Sequence, residues 1–251
     1  MPPVVETKRA VRAYWDDRPC GEGLTRAPRG SHEYFAAIEE AKNQLEPYVH
    51  SFAGFTAARG LDVLEIGCGV GTDTVRFARS GAYVTAVDLS ETAVALTAER
   101  LADEGLEGDV READAESLPF ADGCFDLVYS WGVLHHTPDT ARAIREVERV
   151  LRPSGEARIM LYNSRSFFAA GVWARAMFRS RRAMLPSYAL ATGLESPGTK
   201  AYTRNEVTAL FGPFLAVEIA TVATPYDRRI AGPVARALPA LGWNHLVRAR
   251  P

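Results

Sequence analysis

The fold of this chain is decided by the stretch Leu61-Asp-Val-Leu-Glu-Ile-Gly-Cys-Gly-Val-Gly71. Its apolar first half predicts a short buried β-strand that runs into Gly67. The glycines carry no Cβ atom, so the backbone there can turn sharply and lie against a ligand. A helical pattern follows from Thr72 to Ser80, and Gly81 holds the usual position just past a helix. A strand, a glycine loop and a helix predict one unit of a parallel α/β sheet.

The same alternation continues along the chain. Short β-rich runs lie at 82–88, 125–131 and 158–162, with helical patterns between them. Ser90 suits the cap of one helix, and Pro138 suits the first helical position of the next. This order of strands and helices predicts a doubly wound sheet. The remaining predicted strands span 214–222 and 243–249.

Helical patterns flank the sheet on both sides. Residues 31–55 predict helix, with Pro47 as the point where a second helix begins. Residues 166–182 predict an amphipathic helix. Thr203-Arg-Asn-Glu206 matches a capping box, which satisfies free N–H groups at a helix start. In the amphipathic helix, Phe168, Val172, Trp173 and Met177 lie opposite Arg175, Arg179 and Arg182.

Composition excludes several classes of protein. The chain has 251 residues, 47% of them hydrophobic, so it can bury a full core and is neither disordered nor collagen-like. Its 29 Lys and Arg against 31 Asp and Glu lack the basic excess of a nucleic-acid binder. No stretch approaches the roughly 18 apolar residues of a membrane span, and no signal-peptide pattern is visible. Because Cys20, Cys68 and Cys124 form no CxxC pair, we expect a reduced, cytoplasmic protein.

An acid that suits a ribose follows the glycine loop. Asp88 ends the second predicted strand, 23 residues after Glu65, and an acid near that offset suits hydrogen bonding to ribose hydroxyls. A dinucleotide site needs G-x-G-x-x-G, whereas this loop reads G-x-G-x-G with Thr72 at the sixth position. The acid at Glu65, just before the first glycine, suits a ligand with an ammonium group. These features favour S-adenosylmethionine, which has an ammonium group, a sulfonium and a ribose but no phosphate.

Residues 61–162 resemble class I S-adenosylmethionine-dependent methyltransferases, in the branch typified by ubiquinone- and menaquinone-biosynthesis methyltransferases. The resemblance implies an α/β, Rossmann-like, doubly wound sheet of seven strands, the last ones antiparallel. It also implies N-terminal helices and a helical insertion after the fifth strand. The matching motifs are Val63-Leu-Glu-Ile-Gly-Cys-Gly-Val-Gly71, Val87-Asp-Leu-Ser90, Asp114-Ala-Glu-Ser-Leu-Pro-Phe120, Phe125-Asp-Leu-Val-Tyr-Ser130, Gly132-Val-Leu-His-His136 and Glu148-Arg-Val-Leu-Arg-Pro-Ser-Gly155.

The resemblance implies cofactor contacts position by position. Glu65 and the glycine loop would hold the methionine moiety, with Asp73 near its amino group. Asp88 would bind the ribose hydroxyls, and Leu89 would pack on the adenine. Asp114 would accept from the adenine amine. The implied cofactor residues are Glu65, Gly67, Cys68, Gly69, Gly71, Thr72, Asp73, Asp88, Leu89, Asp114, Ala115, Glu116, Ser130, Trp131 and Gly132.

Methyl transfer from a sulfonium is an in-line displacement, so a general base helps only a hydroxyl or a protonated amine. His135, preferred over His136, is the candidate base, and orientation of the loop is the alternative role for the pair. Tyr162 and Asn163 follow the fifth strand and are candidates to orient the acceptor, as is Tyr202. The five histidines show no metal-ligand pair, so we expect no metal.

The acceptor site is expected in the flanks. Tyr14, Trp15 and Tyr34 lie beside a glycine-containing loop, which predicts a mobile lid whose rings attract the sulfonium; docking of a helix on the sheet is the alternative for Trp15. Residues 166–182 can cover the acceptor pocket, form a dimer contact or lie on a membrane surface. The predicted segments are a lid at 1–55, a cofactor core at 56–163, an acceptor-pocket insertion at 164–202 and completion of the sheet at 203–251.

The favoured function is O- or N-methylation of a small molecule in specialised metabolism, with S-adenosylhomocysteine as the product of the cofactor. We expect a monomer or homodimer with no nucleic-acid partner and no integral membrane segment. C-methylation of a quinone-like or lipid-like ring is the first alternative, because an activated ring carbon needs less base. An NAD-dependent oxidoreductase and a cofactor-binding protein without catalysis are the remaining alternatives.

Overall fold

Seven strands form one mixed sheet in the computed structural model, which describes residues 4–181 and 183–251. The strands are β1 (Asp62–Ile66), β2 (Tyr83–Asp88), β3 (Asp109–Glu112), β4 (Phe125–Trp131), β5 (Leu151–Tyr162), β6 (Ala216–Val222) and β7 (Asn244–Arg250). They lie in the order β3-β2-β1-β4-β5-β7-β6, and β7 is antiparallel to both of its neighbours. The predicted doubly wound sheet with antiparallel last strands is confirmed.

Eleven α-helices lie in the described part of the chain. In that part, no helix is long and apolar enough to cross a membrane. The helices are α1 (Val4–Asp17), α2 (His32–Leu45), α3 (Val49–Ala53), α4 (Thr72–Arg79), α5 (Glu91–Asp103), α6 (Thr140–Val150), α7 (Phe167–Ser180), α8 (Pro186–Gly193), α9 (Arg204–Leu210), α10 (Pro225–Ala231) and α11 (Val234–Ala237).

Both faces of the sheet are covered by helices. Successive residues of a strand point to opposite faces, so Val63 of β1 packs in one apolar cluster and Leu64 in the other. The first cluster includes Phe77 of α4, and the second includes Ile144 of α6. Since both faces are buried, the central strands read as nearly continuous apolar runs.

Some element boundaries differ from their predictions. The helix predicted to start at Pro138 begins at Thr140, because the side chain of Asp139 caps it by accepting from the Arg142 amide. Strand β5 begins seven residues before the predicted 158, because Leu151 already pairs with Phe125 of β4. Strand β3 has only exposed or half-buried residues and therefore gives no apolar signal. Helices α10 and α11 were also not predicted, whereas α8 lies within the segment 164–202 that was predicted to be helical.

The predicted interruption at Pro47 and the predicted capping box are confirmed, whereas α7 ends before the predicted residue 182. The helical region at 31–55 is interrupted around Pro47, between α2 and α3. Thr203 and Glu206 form the capping box at the start of α9. Helix α7 ends at Ser180, followed by Arg181 in the left-handed region (φ 53°). Arg182, which was predicted to extend that helix, lies outside the described residues.

A buried ionic cluster ties α2 to the sheet helices. The carboxylate of Glu39 in α2 bonds Arg76 and Arg79 of α4 and Arg100 of α5. The Arg100 side chain is only 1% exposed, and its second acidic partner is Glu104. Burial by itself would raise the pKa of Glu39, but the three arginines lower it below its ordinary value. Glu39 is therefore the ionised carboxylate that the three arginines share.

We predict that Glu39→Ala lowers the free energy of unfolding by about 2 kcal/mol at neutral pH, because the buried Arg76 and Arg100 each lose one of their two acidic partners. The lowered pKa makes the contribution of Glu39 complete above its unfolded pKa and lost as pH falls through its folded pKa. Urea unfolding at pH 7 and pH 4 measures both effects. The exposed neighbour Glu40→Ala is the control. An equal loss in the two variants at pH 7 would contradict the role of the cluster.

Candidate functional site

The glycine loop turns directly at the end of β1. Gly67, Gly69 and Gly71 have φ values of 84°, 57° and 74°, which lie in the left-handed region that favours glycine. The amides of Gly67 and Cys68 both donate to the Val87 carbonyl, at 2.7 and 3.2 Å. A Cβ at Gly67 would overlap the side chain of Val133. The loop can therefore adopt this turn only with glycine at its first position.

A cavity of about 550 Å³ opens along the edge where the parallel strands end. This volume lies within the usual range for small-molecule sites, and the position is the crevice where doubly wound sheets bind ligands. The sequence-predicted residues that line it are Trp15, Glu65, Gly67, Cys68, Gly69, Thr72, Asp73, Asp88, Leu89, Asp114, Ala115, Trp131, Gly132, His136 and Tyr162. Other described residues that were predicted for the site stand outside the lining: Tyr14, Tyr34, Gly71, Glu116, Ser130, His135, Asn163 and Tyr202.

Asp88 ties the cavity floor together. One carboxylate oxygen accepts from the Gly69 amide and the other from the Ser90 amide, both at 3.0 Å. Burial raises the pKa of Asp88, and these amides oppose that rise. A carboxylate has about four acceptor positions, so both oxygens keep capacity for a pair of ligand hydroxyls. This donor chemistry fits a ribose.

A second group of acids lies under the glycine loop. Glu65 accepts from the Thr74 hydroxyl at 2.5 Å, and burial together with the charge of Asp73 raises the pKa of Glu65 to about 8. Burial would raise the pKa of Asp73 too, but Lys42 and Arg76 lower it below its ordinary value. Asp73 bonds Lys42 at 2.6 Å, so its charge is already balanced. Glu65 is the acid left to attract a ligand ammonium group.

A further acid of the site, Asp114, lies just beyond β3. Asp114 accepts from the Glu116 amide at 2.9 Å and pairs with Lys8 of α1 at 2.6 Å. Glu116 also pairs with Lys8, and its other oxygen accepts from the Asp139 amide. Glu116 therefore supports the cavity wall from behind, through Lys8 and the Asp139 amide. Asp114 and the adjacent Ala115 face the cavity.

The two adjacent histidines have different surroundings. His135 is fully buried, and its ring contacts that of Tyr162 at 3.8 Å between centroids with the ring planes tilted by 34°. Burial lowers the pKa of His135 well below the ordinary value. His136 lines the cavity, and its Nδ1 bonds the hydroxyls of Ser196 and Thr199 at 2.8 and 3.0 Å. The preference for His135 over His136 as the residue that faces the pocket is therefore wrong, because the Tyr162 ring covers His135.

The other predicted residues outside the lining support the strands and loops around the cavity. The Ser130 hydroxyl donates to the Ile66 carbonyl, and the Asn163 amide donates to the Gly242 carbonyl. The Tyr202 hydroxyl donates to Thr140. Tyr34 is buried in a small apolar cluster rather than placed in a lid. Gly71 caps α4, and Tyr14 packs edge-on against Trp15.

Several cavity residues escaped sequence reasoning. Lys42 lies in α2 and Glu46 directly follows that helix. Burial raises the pKa of Glu46, whose carboxylate accepts from the Trp131 indole at 2.9 Å. Glu195 lies after α8, and Trp243 precedes β7. They are far apart in sequence, and each lies in a segment without a motif. Only the placement of Lys42 and Glu46 one turn apart on the predicted helix hints at a shared face.

Helix α1 crosses the carboxyl edge of the sheet. Arg12 pairs with Glu112 at 2.5 Å, and Asp16 accepts from the Ser90 hydroxyl at 2.6 Å. The ring of Trp15 meets His136 edge-on at 5.4 Å between centroids. Polar contacts thus hold the amino-terminal helix over the cavity, and Trp15 forms part of the cavity wall.

Comparison with known proteins defines the class. Residues 64–159 match the family described as methyltransferase domain. The chain is 35% identical over 150 residues to the 27-O-demethylrifamycin SV methyltransferase of Amycolatopsis mediterranei (strain S699), an alignment that covers 57% of this chain and 47% of that protein. The chain thus spans about half the length of this curated relative.

Solved structures share the fold. A methyltransferase from Mesorhizobium loti, dependent on S-adenosylmethionine, has a TM-score of 0.58 at 23% identity, over 81% of this chain and 97% of that one. The [4+2]-cyclase SpnF has a TM-score of 0.59 at 20% identity, over 99% and 93%. These two likenesses show the fold, which by itself does not fix the chemistry. Residues 64–159 form a class I methyltransferase domain whose cofactor is S-adenosylmethionine.

We predict that Gly69→Arg abolishes binding of S-adenosylmethionine, because the new side chain fills the space beside the loop that lines the cavity. Isothermal titration calorimetry measures the loss. Gly105→Arg is the matched control, since Gly105 has a similar φ of 63° and a Cβ there meets no described atom within 4 Å. Equal loss in both variants would show that backbone strain, not blocked space, is responsible.

We predict that cofactor binding releases a proton near pH 7. Glu65 is protonated in the free protein below its pKa of about 8, and an ammonium group favours the ionised carboxylate. Affinity should therefore rise as pH increases towards 8 and then level off. Calorimetry in two buffers with different ionisation enthalpies counts the proton. The Glu65→Gln variant should release none, and an unchanged release in that variant would contradict the assignment.

Proposed function

We propose that this protein transfers a methyl group from S-adenosylmethionine to a hydroxyl group of a small aromatic or polycyclic molecule. The observation that carries the proposal is Nε2 of His136, a buried nitrogen on a residue that lines the cavity, with no hydrogen-bond partner among the described residues. The name of the Amycolatopsis relative, which describes an enzyme of rifamycin methylation, supports an oxygen acceptor in specialised metabolism.

The hydrogen bonds around His136 leave its outer nitrogen free to act as a base. The Thr199 hydroxyl donates to the Ser196 carbonyl at 2.7 Å, so toward His136 it can only accept. We therefore infer the tautomer with the imidazole proton on Nδ1 and the lone pair on Nε2, in which the Ser196 and Thr199 hydroxyls both act as acceptors. A base with that orientation takes the proton of an acceptor hydroxyl as the oxygen is methylated.

Glu195 completes the polar side of the acceptor site. Its carboxylate accepts from the Tyr162 hydroxyl at 3.2 Å and lies 3.5 Å from Nε2 of His136. A negative charge there stabilises the imidazolium that forms when His136 takes a proton. The Tyr162 hydroxyl is fixed by the same carboxylate. We infer that Glu195 and Tyr162 orient the acceptor, whereas His136 accepts its proton.

Aromatic rings form the apolar side of the same site. Tyr162 and Trp243 stack at 4.3 Å between centroids, and Trp15, Trp131 and Tyr226 also line the cavity. Such walls favour a flat apolar acceptor, exclude water, and present ring faces to a cation. S-adenosylmethionine supplies an electrophilic methyl group when bound. The residues of this chain therefore need only to align the acceptor, remove its proton and exclude water.

The segments divide these tasks in our proposal. Residues 56–163 hold the cofactor, and residues 203–251 complete the sheet. The segments at 1–55 and 164–202 build the acceptor site, because Trp15 comes from the first and Glu195 from the second. The polar contacts of α1 suit a lid that opens to admit the ligands.

The ring walls also suit a second acceptor, a quinone-like or lipid-like ring methylated at carbon. An activated ring carbon does not require a base at the moment of transfer. The two proposals therefore differ in how much activity depends on His136.

We predict that His136→Asn lowers kcat by about 10²–10⁴-fold for a hydroxyl acceptor, because it removes the base. Affinity for S-adenosylmethionine, measured by calorimetry, should stay unchanged, since the cofactor contacts come from other residues. The control His32→Asn changes an exposed histidine that pairs with Asp103 on the surface. Labelled methyl transfer to a panel of candidate acceptors measures the activity. Retention of wild-type kcat by His136→Asn would favour methylation at carbon.

A further inference from the structure

The exposed apolar side chains are concentrated on one part of the surface, which we name the cover. It consists of residues 164–194 and 225–241, which contain α7, α8, α10 and α11. Among the described residues ten large hydrophobic side chains are exposed, and seven of them lie on the cover. Phe178 is 86% exposed. The seven are Phe178, Leu185, Tyr188, Tyr226, Ile230, Val234 and Leu238.

The cover is also strongly basic. Residues 164–194 contain five arginines and no acid, and residues 225–241 contain three arginines and one acid, Asp227. Asp227 is fully buried, where it accepts from the amides of Phe168 and Trp243. Arg182 lies outside the described residues, so the seven described arginines and Asp227 give the cover a charge of +6 on a chain of net charge −2.

The helices of the cover pack into one surface. The rings of Phe168 and Tyr226 are 5.2 Å apart between centroids, which joins α7 to α10. The Trp173 indole donates to the Met184 carbonyl at 2.9 Å, which joins α7 to the start of α8.

Apolar and basic residues share one stripe of this surface. A Cβ at Gly171 would overlap the side chain of Ile230, so that side of α7 faces α10. Residues four and seven positions further along a helix lie on the same side. Arg175 and Phe178 therefore lie on the same side of α7 as the contact with Ile230, and both of their side chains are exposed.

The charge of the cover decides which partner it fits. A second copy docked through the same surface would place one +6 face against another, and like charges in an interface oppose association. An anionic lipid surface matches both components, because arginines bind phosphate groups while neighbouring apolar side chains enter the boundary of the acyl chains.

We propose that the cover is a peripheral membrane-binding face that docks on anionic lipid headgroups. Its edge reaches the cavity, since Tyr226 belongs to both the cover and the cavity lining. If the proposed methyl transfer holds, an apolar acceptor can pass from the lipid to the site beside Tyr226. The docking itself needs no methyl transfer, so the two proposals are tested separately.

Cosedimentation with vesicles tests the docking. The full chain should pellet with vesicles of mixed phosphatidylglycerol and phosphatidylcholine but not with phosphatidylcholine alone, and added salt should weaken the binding. Phe178→Glu should lower the affinity about tenfold, because it removes a large apolar side chain from the lipid boundary. The double change Arg175→Gln and Arg179→Gln should lower it about 25-fold, at about fivefold for each arginine.

Leu215→Glu is the matched control. Leu215 is 89% exposed but directly precedes β6, whereas α10 follows the other end of that strand. This variant should bind vesicles like the unaltered chain. Equal losses in Leu215→Glu and Phe178→Glu would overturn the proposal, as would absence of pelleting with anionic vesicles. A dimer in light scattering that dissociates in Phe178→Glu, without vesicle binding, would assign the cover to a second copy instead. Calorimetric titration of each variant with S-adenosylmethionine shows whether its cofactor core is still folded.

Discussion

The hydrogen bond from the Gly69 amide to the Asp88 carboxylate, 3.0 Å long, joins the two loops on which the cavity depends. It requires a left-handed glycine at the end of β1 and an acid at the end of β2, and it holds the two loops in a fixed relation. The same carboxylate accepts from the Ser90 amide at the start of α5. One side chain thus fixes two loops, and its remaining acceptor capacity faces the ligand. In our proposal, support of the fold and attraction of a ribose come from this same carboxylate.

The acids of the cavity differ in pKa because they have different hydrogen-bond and ion-pair partners. Asp73 is balanced by Lys42 and Arg76, and Asp114 by Lys8, whereas Glu65 has a hydroxyl partner and a raised pKa. A buried acid without a cation costs stability unless it stays protonated. A raised pKa keeps a proton on Glu65 in the free protein and avoids that cost. We propose that a ligand ammonium group replaces this proton, so that binding exchanges a proton for a cation.

Much of this arrangement could be predicted from the sequence, because local rules govern it. The glycines, Asp88 and the apolar strands follow from turn geometry, offset and periodicity, and the order of elements gave the doubly wound sheet. Strand β3 was not predicted, because pairing with β2 rather than apolar burial makes it a strand. Lys42 and Glu195 could not be predicted either, since they reach the cavity through the packing of flanking helices that share no motif. Those contacts depend on tertiary structure and leave no periodic signal.

The histidine pair shows where sequence reasoning ends. His135 and His136 lie in one 3₁₀ turn, in which neighbouring side chains point about 120° apart, so only one of them can face the cavity. Ser196 and Thr199 decide the matter, because their hydroxyls hold Nδ1 of His136 from a segment sixty residues away. That segment also carries Glu195 and leads out of the cover. The insertion at 164–202 therefore holds the proposed acceptor base and also forms part of the cover, so a change in that insertion can alter the acceptor site while the glycine loop and Asp88 stay the same.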